Sequence, residues 1–162
     1  QECVEQLRKH GVQQVCPQCR AALPAGPEKL YEDAVQLWVA ICHQVGGEDP
    51  VLWQSLTNSQ QQKMTTVIDM HTNAANQGHA GAHNSLGAMY KQGYGVAQDH
   101  HQAVQWFRKS ADQGHADAQY NFSAMYKQGY GVAQDHHQAV HWLRKAADQG
   151  HDAAQCSLGA MY

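Results

Sequence analysis

The sequence of 162 residues lacks the features that mark several common functional classes. No apolar run reaches the roughly 18–20 residues that span a bilayer, and no signal peptide is recognisable. The 11 Lys and Arg residues, against 14 Asp and Glu, leave a net charge of −3 with histidine neutral and form no basic cluster. No Ser/His/Asp set, phosphate loop or carboxylate pair stands out. The sequence therefore predicts neither a membrane nor a nucleic-acid partner, and no catalytic residue.

Cysteine is present but follows no disulfide pattern. The count is five, and two of the five, Cys42 and Cys156, stand alone in helical stretches. An odd number of dispersed cysteines argues against a secreted disulfide framework and favours a reducing compartment. We therefore expect a cytoplasmic location, with a nuclear one possible.

What dominates the sequence is an internal repeat. The segment AMYKQGYGVAQDHHQAV at residues 88–104 returns letter for letter at residues 124–140, an offset of 36. Residues 76–111 and 112–147 differ at 10 positions and are identical at the other 26. A fixed period of this length indicates stacked supersecondary units rather than one closed globule.

Each repeat unit is predicted to contain two helices. Apolar residues at i, i+4, i+7 and i+8 predict a first helix over about residues 80–92, which Gly93 and Gly95 end by taking positive φ. Asp99 is placed to cap the second helix. Upstream, residues 27–45 form a strong helical pattern, and Ser59 is predicted to cap a helix that reaches about residue 77. Most histidines are copied by the repeat and are predicted to be neutral surface residues.

Spaced motifs within the repeat resemble a known family. Gly-x-x-x-Ala, Leu-Gly-Ala-Met-Tyr, Gly-Tyr-Gly-Val, Ala-Val-x-Trp and Lys-x-Ala-x-x-Gly recur over about residues 77–162 and are similar to the Sel1-like repeat, which is related to tetratricopeptide repeats. The resemblance implies an all-α fold, an α/α solenoid of helix pairs. It also implies a scaffold whose repeat groove binds a protein or peptide and carries no catalytic residues.

The N-terminal segment carries the only metal-binding motif. Cys16 and Cys19 form a Cys-x-x-Cys pair, whose two thiolates can point at one tetrahedral zinc. Together with Cys3, 13 residues before Cys16, the pair resembles the C-terminal half of a RING finger. That resemblance implies that Cys3, Cys16 and Cys19 are zinc ligands of incomplete sites. It also implies that Arg20 contacts a ubiquitin-conjugating enzyme.

Two alternatives remain open for these cysteines. They are either unrelated free thiols or, with His10, a self-contained Cys₃His zinc site. At the level of function, the RING resemblance implies a fragment of an E3 ubiquitin ligase. The fragment is expected to be inactive by itself, because the five zinc ligands that precede Cys3 in a RING finger are not in this sequence. The alternative is a non-enzymatic zinc-binding scaffold that uses the repeats for protein–protein interaction.

The chain is expected to be a fragment of a longer protein, since it starts with Gln and stops within a repeat. The predicted order is the zinc-finger part in 1–26, a connecting helical segment in 27–58, a degenerate half repeat in 59–78, full repeats in 79–114 and 115–150, and a partial repeat in 151–162.

Overall fold

The structure, a computed structural model, describes residues 25–46, 53 and 55–159. These residues contain helices and no strand, which confirms the predicted all-α class. The helices are α1 (Pro27–Val45), α2 (Asn58–Asn76), α3 (Ala80–Gln92), α4 (His100–Asp112), α5 (Ala116–Gln128), α6 (His136–Asp148) and α7 (Asp152–Gly159).

Each helix packs mainly against its neighbours in the chain. The pairs α1–α2, α3–α4 and α5–α6 form the most extensive contacts, and α2–α3, α4–α5 and α6–α7 join one pair to the next. Among the described helices, every extensive contact therefore joins elements that are consecutive in sequence. This nearest-neighbour arrangement is the architecture of a solenoid.

Caps and glycines set the helix boundaries within the repeats. Helix α3 occupies residues 80–92 as predicted, and Gly93 ends it with φ 79°. Asp99 caps α4, because its Oδ1 accepts hydrogen bonds from the backbone N–H groups of His101 (2.9 Å) and Gln102 (3.0 Å). The same cap recurs at Asp135 before α6.

Helix α2 begins differently from the prediction. Thr57, not Ser59, is its cap. The Thr57 hydroxyl accepts from the Gln60 N–H at 3.3 Å, and Gln60 Oε1 accepts from the Thr57 N–H at 2.9 Å. This reciprocal capping box satisfies two backbone donors.

The two repeats fill the same core position in different ways. A Cβ added at Gly87 would lie 2.6 Å from Cδ1 of Phe107, so the missing side chain allows the Phe107 ring to pack there. At the equivalent positions the second repeat has Ser123 and Leu143. A small residue on the first helix therefore permits close packing, and Gly87 has a larger neighbour, Phe107, than Ser123 has in Leu143.

The turns after α3 and α5 approach the preceding helix pair. Gly95 and Gly131 have φ of 68° and 69°. A Cβ on Gly95 would meet the side chain of Met64 in α2, and one on Gly131 would overlap the carbonyl of His100 at the start of α4. Glycine is thus needed here both for backbone conformation and for stacking.

Candidate functional site

The first helices of the successive pairs are α1, α3, α5 and α7, and we call them the A-helix row. Two recesses lie along this row, and a third, on α6 alone, lies outside it. One recess, the α1–α3 cavity, has a volume of about 240 Å³. Its lining residues come from α1, α2, α3 and the turn that follows: Val35, Trp38, His71, Ser85, Ala88, Met89, Gln92 and Tyr94.

A second recess, the α5–α7 cavity, has a volume of about 170 Å³. It is lined by residues of α5, α6 and α7: Tyr120, Ser123, Ala124, Lys127, Gln128, Ala139, Leu143 and Ser157. Leu143 stands at the repeat position that Phe107 has in the first repeat. The leucine side chain is smaller and has no ring. The cavity therefore lies where the second repeat has a smaller side chain than the first.

Aromatic rings form one wall of the α1–α3 cavity. Trp38 stacks on Trp53 with ring centroids 4.7 Å apart and planes at 13°. The ring of Tyr94 lies tilted against both, at 5.2 and 5.1 Å. Such offset and tilted pairs stabilise one another and hold large side chains in fixed positions. This wall is a rigid, mainly apolar surface.

His71 of α2 forms another part of the wall. Its side chain is 1% exposed and lies 5.6 Å, centroid to centroid, from the ring of Tyr31. Burial lowers the pKa of His71 to about 4, and the nearby His79 adds to this effect. The ring is therefore neutral at pH 7. Its Nδ1 is buried and has no hydrogen-bond partner among the described residues.

Three other histidines cap helices, so the prediction that they are simple surface residues is wrong. Nδ1 of His79, His115 and His151 accepts the N–H three residues on, at 3.1, 3.4 and 3.2 Å. An accepting Nδ1 places the proton on Nε2, which in His79 lies 3.0 Å from Glu28 and in His151 lies 3.2 Å from Asp117. The rings of His79 and His151 thus join adjacent helix pairs.

The predicted zinc and enzyme-contact residues cannot be compared with this geometry. Cys3, Cys16, Cys19 and Arg20 all lie outside the described residues, as does His10. In the described part of the chain, no group of three or more His, Cys, Asp or Glu side chains could hold a metal ion. Nor is any helix there long and apolar enough to cross a membrane.

A comparison with known protein families identifies the repeats and their bounds. The Sel1 repeat family matches residues 80–115 and again residues 116–151, one residue later than the predicted boundaries. The fold is an α/α solenoid of Sel1-like helix pairs. Each Sel1 repeat begins with an A-row helix, α3 or α5, and ends after its partner, α4 or α6.

Solved structures share this Sel1-like solenoid. A Sel1 repeat protein from Oxalobacter formigenes has a TM-score of 0.62 and 30% identity, over 81% of this chain and 45% of that chain. The protective antigen c5321 of uropathogenic Escherichia coli, which has an SLR fold, has a TM-score of 0.59 and 26% identity, over 99% of this chain and 39% of that chain. Cysteine rich protein B of Helicobacter pylori has a TM-score of 0.56 and 25% identity, over 80% of this chain and 95% of that chain.

The chain spans less than half the length of the first two of these structures. The comparison with curated proteins gave no match. Likeness to these proteins therefore supports the repeat architecture.

Proposed function

We propose that this chain is a scaffold whose A-helix row binds a protein or peptide partner. The observation that carries the proposal is the placement of two separate recesses along one row of helices, at α1–α3 and α5–α7. Protein partners anchor through a few side chains that fill such recesses, while the surrounding contacts exclude water. The resemblance to Sel1-repeat proteins supports the same kind of function.

Site-specific photocrosslinking tests this proposal. Gln92 and Gln128 are exposed residues of α3 and α5 that line the two cavities, and Gln105 is an exposed residue of α4. A benzophenone amino acid at Gln92 or Gln128 should cross-link one and the same partner in cells, and the same group at Gln105 should not. Equal cross-linking from Gln105, or none from either cavity position, would refute the A-helix row as the binding surface.

The N-terminal cysteine pattern favours a second, finer proposal. We propose that a longer protein that contains this chain is a RING-type E3 ubiquitin ligase, with Cys3, Cys16 and Cys19 as zinc ligands and Arg20 in contact with the ubiquitin-conjugating enzyme. Such a ligase holds the ubiquitin-loaded conjugating enzyme in position and supplies no nucleophile of its own. The competing proposal is a zinc-binding scaffold without ligase activity.

Zinc content and ubiquitin transfer separate the two. The chain alone should bind zinc weakly, because two thiolates complete only half of a tetrahedral site. A protein extended upstream should hold about two zinc ions, by mass spectrometry, and should form ubiquitin chains that Arg20→Ala reduces. Tight binding of one zinc by the chain alone, lost on His10→Ala, would establish the Cys₃His site instead. Two zinc ions without ubiquitin transfer would establish the scaffold.

A further inference from the structure

Helix α6 carries two histidine side chains on one face. His137 and His141 lie four positions apart, and both are exposed. Side chains at positions i and i+4 of a helix are neighbours, with their Cβ atoms about 5–6 Å apart. The α6 recess is lined by both histidines and by Val140, Arg144, Lys145 and Asp148. The helix therefore brings two imidazole rings to one place on the surface.

The spacing of the two rings suits a shared metal ion. An imidazole nitrogen binds zinc at about 2.0–2.1 Å, so two rings on one tetrahedral ion hold their nitrogens about 3.3 Å apart. Rings on neighbouring turns of a helix reach this separation by rotation about their side-chain bonds. Metalloproteases with an H-E-x-x-H helix hold zinc by two histidines at this same spacing. His137 and His141 thus have the placement of a two-histidine chelate.

The other histidine pair at this spacing in the described helices is engaged within the fold. Nδ1 of His79 accepts a backbone N–H at 3.1 Å, and its Nε2 lies 3.0 Å from Glu28. Nδ1 of His83 lies 3.0 Å from the carbonyl oxygen of His79, and this side chain is only 6% exposed. Within the described residues, no hydrogen bond or ion pair engages a ring nitrogen of His137 or His141. Only the pair on α6 is therefore available to an ion from solution.

The neighbouring side chains restrict the kind of ion. Arg144 and Lys145 lie one turn beyond His141, but Nζ of Lys145 is held 4.3 Å from the centroid of the Trp142 ring. Asp148 is two turns beyond His141, about 10 Å along the helix axis, so its carboxylate cannot share an ion with both histidines. A site with two nitrogen ligands and no carboxylate disfavours Mg²⁺ and Ca²⁺, whereas imidazole suits Cu²⁺, Ni²⁺ and Zn²⁺.

We propose that His137 and His141 form a two-histidine site on α6 that binds a divalent late transition-metal ion. Cu²⁺ should bind most tightly, with Ni²⁺ and Zn²⁺ below it, and the other coordination positions are open to water. The first repeat has His101 and Gln105 at the equivalent positions, so the site belongs to the second repeat alone. It lies outside the A-helix row and depends on neither the scaffold proposal nor the N-terminal cysteines.

Ni²⁺ titrated into the full 162-residue chain tests the site by NMR, because this paramagnetic ion broadens the signals of nearby nuclei. We expect saturable broadening of the signals of His137, Val140 and His141. The dissociation constant is taken from these α6 signals, so ions held by the N-terminal cysteines do not enter it.

Three variants at exposed positions separate a chelate from single histidines. His141→Gln introduces the residue of the first repeat and should weaken Ni²⁺ binding about tenfold or more, since even loss of an outer-shell partner costs about 10–100-fold. His136→Gln removes a neighbouring ring that points about 100° away around the helix, and it should leave binding unchanged. Gln105→His completes the same pair with His101 and should create a second site on α4. Helicity and thermal melting check the folding of each variant.

The outcomes decide the inference without reference to a protein partner. Absence of saturable broadening on α6, or equal affinities of the wild-type chain and His141→Gln, would overturn it, because the ion would then be held by one imidazole at most. Equal losses in His136→Gln and His141→Gln would also overturn it, since only one of these rings lies on the chelating face. New broadening on α4 in Gln105→His would support the spacing argument directly. Its absence in a folded variant would refute that argument.

Discussion

Gly131 is the residue at which a single added methyl group should do most damage to the stacking. Its φ is 69°, and a Cβ would overlap the carbonyl group of His100 and lie 2.8 Å from the backbone N of His101. Those atoms belong to the first turn of α4, in the preceding repeat. Since they are backbone atoms in a capped helix, they cannot move aside as a side chain can. Gly131→Ala should therefore push the two repeats apart.

The size of the effect follows from two contributions. A non-glycine residue in left-handed backbone costs about 1–2 kcal/mol, offset by about 0.4–1 kcal/mol because alanine restricts the unfolded chain. Gly150 has φ 85° and nothing within 4 Å of an added Cβ, so Gly150→Ala should cost only this net amount, about 1 kcal/mol. Overpacking adds about 1–3 kcal/mol, so Gly131→Ala should lower the free energy of unfolding by about 2–4 kcal/mol.

Gly95→Ala should fall between these two variants. Its Cβ would lie 2.7 Å from Cε of Met64 and 3.0 Å from Cβ of the same residue. The end of a methionine side chain adapts more readily than backbone does. Part of the overlap can thus be relieved without moving a helix.

Urea denaturation followed by helical circular dichroism measures the order of the three variants. Repeat arrays can lose cooperativity, so amide hydrogen exchange provides a local measurement as well. Because each unit contacts only its neighbours, Gly131→Ala should raise exchange rates in α5–α7 more than in α1 and α2. Equal losses of stability for Gly131→Ala and Gly150→Ala would refute the argument, since only the conformational contribution would then remain.

Three further variants test the caps, the buried histidine and the core. Asp135→Ala should cost about 1 kcal/mol in urea denaturation, because two N–H groups of α6 lose their acceptor. The free energy of unfolding should fall by up to about 3 kcal/mol as the pH drops from about 6.5 to 4. The reason is that His71 takes up a proton in the unfolded chain at a pH where the folded ring, with its pKa of about 4, does not. His71→Phe should therefore reduce this pH dependence. Leu143→Phe should destabilise the chain alone but be partly rescued by Ser123→Gly, which recreates the pair found in the first repeat, with a coupling of about 0.5–3 kcal/mol.

Each of the three has an outcome that contradicts it. An unchanged urea midpoint for Asp135→Ala would show that the cap is replaced by water. His83 is also buried with a lowered pKa, so it leaves a smaller slope in His71→Phe; a slope equal to that of the wild type would remove His71 as its source. Strict additivity of Leu143→Phe and Ser123→Gly would mean that the two side chains do not compete for one space.

The helices of the repeats could be predicted from the sequence because their signals are local. The bounds of α3, the Asp99 cap and the positive φ of Gly93 depend on residues within one or two turns, and the structure confirms all three. The cap of α2 also has a local signal, because Thr57 is followed three residues later by Gln60. Ser59 is an equally good cap type. It is also followed three residues later by a glutamine, Gln62, so the local capping-box pattern does not separate the two.

The contacts between units could not be predicted in the same way. The overlap at Gly131 depends on how closely one repeat approaches the next, a distance that no pattern within a repeat encodes. Histidine is not among the preferred capping residues, so the role of His79 and its copies had only a weak signal, the recurrence of Gly-His before each first helix. The cavity at His71 depends on α1, which lies upstream of the recognisable repeats.

One difference between the repeats did carry information about the surface. Leucine and phenylalanine exchange places, as Leu86 with Phe107 in the first repeat and Phe122 with Leu143 in the second. Total side-chain volume is kept, which a close-packed core tolerates well, but the large ring moves from the second helix to the first. The space beside Ser123 is left unfilled as the α5–α7 cavity, whereas Phe107 closes the same space beside Gly87. Two repeats identical at 26 of 36 positions therefore present different recesses, so a partner can recognise one unit of the array and not the other.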